Sequence, residues 1–548
     1  MKQIRIIIAL AFAAVTGFTS CGGPSDVKQT KNLIIMVPDG TSTSVLACSR
    51  WYKLAKGGEA ELAVDEGLCG LVRSYMSDAP ISGSAGAMSA YMTGLCQQSP
   101  NISIFPKANP ENDFYPVDTT RTFQPHATVM EAARTQLGKA TGLVVTCYFT
   151  HATPAACTSH SYSRNDDQAI GAQTASFGHD VLFGGGTKHV TPYIKSILDD
   201  NGTEYIEDDV KAFRSYNGDG KVWALFDRND MDYEADRDPE TQPSLAEMTA
   251  KAIGILSKKK NGFVLMVEGS NVDHAAHAND PVGTIGDFLA FDEAVKVAFD
   301  FAKKDGNTTV VIMPDHGNSG ITIGSENYGG YSSRGLKDAY SGVVDFKCTV
   351  SALSDKLRAI KSPDEIPSVF KEWANVDITP EEEAQVRSHF DKQVTDYMNI
   401  GGSLNHVVSR ILSSRTYFGF VSGNHTIEDV FLSIYSPSGK RLEGVHTNEE
   451  LGRYLCQVIG LKSDLVAESD RQFSPAEKVF DGCEMSVDSS DPVNPVLTVK
   501  NGDKTMVLPA YKAYVTLNDE RVDLEISTVY MKKNKSFYVA SRLGEMMK

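Results

Sequence analysis

Four short runs along the chain are almost uninterrupted in apolar residues: 33–37, 142–146, 263–267 and 309–313. They do not alternate, which suits strands covered on both faces of a mainly parallel sheet. Helical periods lie between them. Residues 284–304 carry Phe288, Phe291, Ala294, Val295, Ala298 and Phe301 at three-to-four spacing, with Lys303 and Lys304 at the carboxyl end. That pattern predicts an amphipathic helix whose last turn complements its dipole. Strands alternating with helices predict an α/β fold, a three-layer sandwich with a large mainly parallel central sheet. Two regions break the pattern. Residues 320–410 pass from the loop Tyr328-Gly329-Gly330-Tyr331-Ser332-Ser333 into acidic helical stretches such as 380–397, and predict an inserted helical and loop subdomain. Beyond Cys483 the period becomes two, with one set at Tyr511, Ala513, Val515 and Leu517 and another at Val522, Leu524 and Ile526. This predicts a small β-rich appendage on the main sheet over residues 484–548.

At 548 residues the chain can bury a large core, and 41% hydrophobic with 22% charged residues is ordinary globular composition. A formal charge of −17 argues against a nucleic-acid partner, which would need a basic face. The amino terminus is a targeting segment. Lys2 and Arg5 precede an apolar run at 6–15; a span needs about 20 residues, so this is the length of a signal-peptide core. The stretch ending at Cys21 resembles a bacterial lipoprotein lipobox, with Phe18 where Leu is usual. Residues 1–20 are expected to be a signal peptide, 21–31 a lipoprotein tether and 32–548 the folded domain. The chain is therefore expected to be exported, to the periplasm or as an outer-membrane or cell-surface lipoprotein, meeting a membrane only through lipid on Cys21. Export permits disulfides among the remaining cysteines, and Cys456 with Cys483 is the expected bridge.

Metal-type ligands follow the predicted strands. Asp39, the run His151-Ala152-Thr153-Pro154, Glu268, and Asp315-His316 each stand just beyond an apolar run, where open α/β sheets bind ligands. Asp273 and His277 are four apart, so one helical turn puts carboxylate and imidazole on the same side, a pairing zinc accepts. A second constellation, Ser82-Gly83-Ser84-Ala85-Gly86-Ala87, opens a helical run with small residues. Amide groups and the positive helix end would surround Ser84 there. Close packing through small side chains explains that stretch equally well.

Taken in order, these residues resemble the alkaline phosphatases, in detail the His-containing, animal-like branch. The matching positions are Asp39-Gly40, Ser84 through Gly94, His151 to Pro154, Arg164, the glycines of 180–186, Glu268, Asp273-His274 with His277, Asp315-His316, and His425-Thr426. They cover roughly residues 32–430. The resemblance implies two zinc ions and one magnesium ion. Asp273, His277 and His425 would hold the first zinc, and Asp39, Asp315 and His316 the second, beside the nucleophile Ser84. Asp39 would bridge to magnesium, completed by Thr153 and Glu268. Arg164 would offer a planar fork to the phosphoryl oxygens. His151 and His274 take positions held by Asp and Lys in the enterobacterial form, which bears on the metal choice of the third site. Gly83 stands where the family usually has Asp, implying a less restrained Arg164.

The implied activity is hydrolysis of phosphate monoesters over a broad substrate range at alkaline pH, through a phosphoserine on Ser84. Family members are commonly homodimers. A sulfatase on the same scaffold would need x-Pro-x-Arg after its nucleophile, which Ser84-Ala85-Gly86-Ala87-Met88 lacks. The alternatives left are a phosphodiesterase of the superfamily and a surface lipoprotein that binds without turnover. Retention of Thr153, Glu268 and Arg164 favours monoesters. Tyr328, Tyr331 and Arg334, in the insertion, either touch the leaving group or pack.

Overall fold

The computed structural model describes residues 27–325, 329–392 and 401–548. The signal segment, Cys21 and Tyr328 lie outside the described residues. Among the described residues, ten strands form the central sheet: β1 (Asn32–Pro38), β2 (Leu68–Arg73), β3 (Ala140–Tyr148), β4 (Val181–Gly185), β5 (Thr203–Glu207), β6 (Lys221–Leu225), β7 (Phe263–Gly269), β8 (Thr308–Ile312), β9 (Val430–Tyr435) and β10 (Gly444–Thr447). Their order is β10-β2-β9-β8-β1-β7-β3-β4-β6-β5. Neighbours run parallel except at β9, which is antiparallel to both β2 and β8. The four apolar runs of the sequence are thus β8, β1, β7 and β3, four adjacent strands at the heart of the sheet.

Side chains leave these strands on alternating faces and fill two cores. Leu33, Ile35 and Val37 join Leu143, Val145, Val264 and Met266 on one side. Ile34 and Met36 join Val144, Leu265, Val267, Val310 and Ile312 on the other. Each such side chain contributes about 1.5–3 kcal/mol on burial, so the sheet is fixed between two helical layers by the same residues that define its strands.

The predicted amphipathic helix spans Pro281–Asp305, three residues longer at its start than its apolar period. The physical reason is the cap: Asp280 accepts from the amides of Val282 and Gly283, and Pro281 takes the first helical position, where no amide is needed. Phe288, Phe291, Ala294, Val295 and Ala298 pack into the second core.

Residues 320–410 contain the helices Val350–Arg358, Ile366–Ala374 and Pro380–His389 and run into Leu404–Ser413; buried Leu353, Leu357, Phe370 and Ile411 on these helices extend that core. The acidic helix ends at His389, and residues 393–397 of the predicted stretch fall outside the described residues. Arg334 packs: it binds Asp338 at 2.8 Å and lies 4.6 Å from the Tyr417 ring centre.

The carboxyl-terminal alternation forms strands in part, at Val515, Leu517 and Val522 but not at Tyr511, Ala513, Leu524 or Ile526, and they are not on the main sheet. Glu484–Asp488, Val496–Asn501, Lys504–Pro509, Tyr514–Leu517 and Glu520–Asp523 make a separate antiparallel sheet in that order. Its inward residues Leu497, Val499, Met506, Leu508 and Val515 join the first core, so the appendage is attached by packing rather than by ladder hydrogen bonds. Cys456 and Cys483 are not bridged, and all eight cysteines among the described residues are free. With two large cores, cross-links are not needed to hold a fold of this size. Among the described residues no helix is long and apolar enough to cross a membrane.

Candidate metal centre and active site

The sheet order explains the site. Asp39 follows β1, His151 follows β3, Glu268 lies near the end of β7, and Asp315-His316 follow β8. Because these strands are neighbours, their carboxyl ends deliver the four groups to one place. Two further pieces complete it. The helix Asn271–His277 leaves β7 after one residue and carries Asp273, His274 and His277. His425 arrives through a two-residue strand paired antiparallel with Gly317-Asn318, directly after His316.

The first predicted zinc set assembles. His277 Nε2 lies 3.3 Å from Asp273 Oδ2 and 3.2 Å from His425 Nε2, and His425 Nε2 is 3.8 Å from Asp273 Oδ1. The second set also assembles: His316 Nε2 is 3.5 Å from Asp39 Oδ1 and 3.3 Å from Asp315 Oδ2. Asp273 reaches into this cluster as well, standing with Asp39 and His316 within ligand distance of one ion. Ser84 begins the fully buried helix Ser84–Thr93, and its Oγ is 3.3 Å from His316 Nε2. Both readings of that stretch therefore hold, since its small residues pack closely and its first residue faces the ligands.

The hydrogen bonds of the histidines test whether cations fit. Nδ1 of His277 points at the Gly423 carbonyl (2.7 Å), Nδ1 of His425 at the Ser82 carbonyl (2.8 Å) and Nδ1 of His316 at the Gly317 carbonyl (3.3 Å). A carbonyl only accepts, so each Nδ1 carries a proton, and His316 and His425, kept neutral by burial, aim an Nε2 lone pair into the site. Burial holds His316 at about 4 and His425 at about 3, so both rings are neutral at ordinary pH. Both oxygens of Asp39, Oδ2 of Asp315, Oε1 of Glu268 and Oγ1 of Thr153 are buried with no hydrogen-bond partner. The donor set fits two nitrogen- and carboxylate-bound cations and an adjoining oxygen-lined one.

Burial, reinforced by crowded carboxylates, raises Asp39 well above its usual range, Glu268 to about 8 and Asp315 to about 6. Stripped of metal, the folded protein should therefore bind protons that the unfolded chain releases, and stability should rise as pH falls through about 8. Below about 6.5 the trend should reverse, because His316 and His425 then charge only in the unfolded chain. A pH series of melting temperatures on chelated protein checks this, and a maximum at pH 9 or above would contradict it.

Two further residues support the ligands, Gly40 from the matched Asp39-Gly40 pair and Asn318. Gly40 takes a positive φ (+59°), a Cβ there would lie 2.2 Å from Asp273 Oδ1, and its amide donates to Asp315 Oδ1 at 3.1 Å. Asn318 donates to Asp273 Oδ1 at 2.7 Å and orients the carboxylate shared by both clusters. Asn318→Ala is expected to weaken zinc binding by about 10–100-fold, measured by competition with a chromogenic chelator. No motif flagged Asn318; its place depends on the short strand pair that also delivers His425.

Arg164 and His425 are only partly buried and form the rim, whereas Asp39, Thr153, Glu268, Asp273 and Asp315 are buried. Arg164 is not loose, as Gly83 implied. Its Nη2 donates to His151 Nε2 at 2.8 Å, so a histidine restrains it where an aspartate was missing. His274 stands beside His151, ring centres 5.7 Å apart, with Asp230 at 3.9 Å.

The family model for alkaline phosphatase matches residues 30–461. Alkaline phosphatase 3 of Bacillus subtilis is 30% identical over 473 residues, covering 83% of this chain and 95% of that protein. The repressible alkaline phosphatase of Saccharomyces cerevisiae is 27% identical over 527 residues, covering 85% and 87%. Among solved structures, the cold-active alkaline phosphatase of Shewanella sp. superposes with a TM-score of 0.67 at 24% identity, covering 78% of this chain and 99% of that one. A variant of the alkaline phosphatase from the Antarctic bacterium TAB5, solved with magnesium bound in its M3 site, gives 0.56 at 21%, covering 80% and 100%. With a family model spanning most of its length and a full-length relative at 30% identity, this chain belongs to the alkaline phosphatase family of metal-dependent phosphomonoesterases.

Proposed function

We propose that the chain hydrolyses phosphate monoesters through a phosphoserine on Ser84, with two zinc ions and one magnesium ion. The observation that carries this is Ser84 Oγ at a buried helix start, 3.3 Å from His316 Nε2. Asp273, His277 and His425 would hold one zinc; Asp39, Asp315 and His316 the other; Asp39, Thr153 and Glu268 the magnesium. When bound, these ions supply positive charge that stabilises the serine alkoxide and the departing oxygen.

Ser84 Oγ forms a bond to phosphorus as the ester P–O bond breaks, and the serine proton leaves with the alcohol product. Water then attacks phosphorus, the Ser84 Oγ–P bond breaks, and inorganic phosphate departs with Ser84 reprotonated. The amides at the start of the helix Ser84–Thr93 face the phosphoryl oxygens. Arg164, held by His151, presents its guanidinium from the rim and binds two of them. Since all described contacts grip the phosphoryl group, substrate range would be broad. Arg164→Ala is expected to raise KM for a monoester and weaken inhibition by inorganic phosphate, each by about tenfold or more, read from steady-state kinetics.

The deciding experiment compares p-nitrophenyl phosphate with bis-p-nitrophenyl phosphate at alkaline pH, before and after chelation. A strong monoester preference lost on chelation supports the proposal. Diester preference would give the site to a phosphodiesterase, and no turnover of either would favour a binding lipoprotein.

The sequence further supports export and lipid anchoring at Cys21; the family resemblance implies a homodimer, and residues 320–410 would wall one side of the cleft. Cys21→Ser should move the protein from the membrane to the soluble fraction, and retention in the membrane would refute the anchor.

A further inference from the structure

Cys147 has no part in that mechanism, yet the fold buries it against the third cation position. It is the eighth residue of β3, two beyond Val145, which pairs with Glu268 of β7. The parallel ladder therefore sets its side chain beside the glutamate, with Sγ 3.5 Å from Glu268 Oε2. The turn after β3 brings back His151, and one donor atom each from Cys147, His151 and Glu268 lies within 4.8 Å of the others. All three residues are buried. Glu268 Oε1 and Thr153 Oγ1 point into the same space, buried and without a hydrogen-bond partner.

The pocket therefore has two faces of different chemistry. Asp39, Thr153 and Glu268 offer oxygen alone, which suits magnesium. Cys147, His151 and Glu268 offer sulfur, nitrogen and one carboxylate oxygen, a set that zinc prefers and magnesium does not. We propose that the third position is a zinc site as well as a magnesium site, with Cys147 and His151 as its zinc ligands. Glu268 belongs to both sets, so the two ions exclude each other and the occupant follows zinc supply. Zinc binding forms Zn–S and Zn–N bonds, displaces the Cys147 thiol proton to solvent, and ends the hydrogen bond from Arg164 to His151, whose uncoordinated nitrogen then carries the ring proton. This inference rests on the metal assignment proposed above and deepens it.

The test equilibrates the full-length protein, Cys147→Ser and Cys147→Ala against fixed magnesium and rising zinc, then measures both metals per chain by mass spectrometry. Wild type is expected to exchange magnesium for a third zinc at a zinc concentration about tenfold or more below that needed by either variant. Cobalt-loaded wild type should also show a thiolate-to-cobalt charge-transfer band in the near ultraviolet, which both variants lack. Coincident exchange curves with no band would overturn the proposal. The wild-type band alone decides it if a variant folds poorly. Fewer than two tightly held zinc ions in wild type would instead defeat the two-zinc assignment itself, so the two failures are distinguishable.

Discussion

Ser84→Ala is expected to lower monoesterase kcat by at least about a thousandfold, roughly 4 kcal/mol of transition-state stabilisation. The substitution removes one oxygen. That oxygen has one contact within hydrogen-bonding distance, His316 Nε2, and the helix it opens is held by Met88, Tyr91 and Met92 in the core. Folding and zinc content should therefore be unchanged, with the melting temperature within a few degrees of wild type. Kinetics, metal analysis and calorimetry on the same sample make the comparison. Stalled phosphoenzyme chemistry would leave wild type, but not the variant, labelled by phosphate at acid quench. Retained turnover in Ser84→Ala would show that water attacks the substrate directly and that no phosphoserine lies on the path.

Asp273 is the second position where a large effect is expected. It touches the His277–His425 pair and also stands with Asp39 and His316, so one carboxylate serves both clusters. Asp273→Ala should remove at least one zinc equivalent and reduce kcat/KM by about a hundredfold or more, without rescue by added magnesium. It also removes the side-chain acceptor of Asn318 Nδ2 at 2.7 Å, leaving that amide only its longer bond to the Asp273 backbone carbonyl at 3.3 Å. Asp273→Asn keeps that neighbour's shape but not the charge, and should fall between wild type and Asp273→Ala in zinc affinity. Normal zinc content in Asp273→Ala would place the metals elsewhere.

Much of this site was legible before any fold was known. Uninterrupted apolar runs mark strands buried on both faces, and the residues just after such strands sit at a sheet's carboxyl edge whatever the strand order. That placed Asp39, His151, Glu268, Asp315 and His316. Asp273 and His277 were legible because four residues make one helical turn. Ser84 was ambiguous on local grounds alone, since small residues serve close packing and anion binding alike, and here they serve both.

Other features depended on contacts between segments far apart in the chain. Period-two alternation announced the carboxyl-terminal strands, but which sheet they join is a matter of edge pairing, and they pair with one another. Arg164 was expected to be loose because Gly83, where the family usually has Asp, has no side chain to hold it; His151 reaches it instead from the turn after β3. Cys456 and Cys483 were the expected bridge, yet both are free thiols.

Periodicities of two and 3.6 residues within single segments set the strands, the residue types at their ends and the local setting of Ser84. Long-range packing set the adjacency of β8, β1, β7 and β3, the arrival of His425 through a two-residue strand pair, and the places of Asn318 and Cys147 against the candidate ligands. Those outcomes depend on which surfaces bury against each other across hundreds of residues, and no local period encodes that choice.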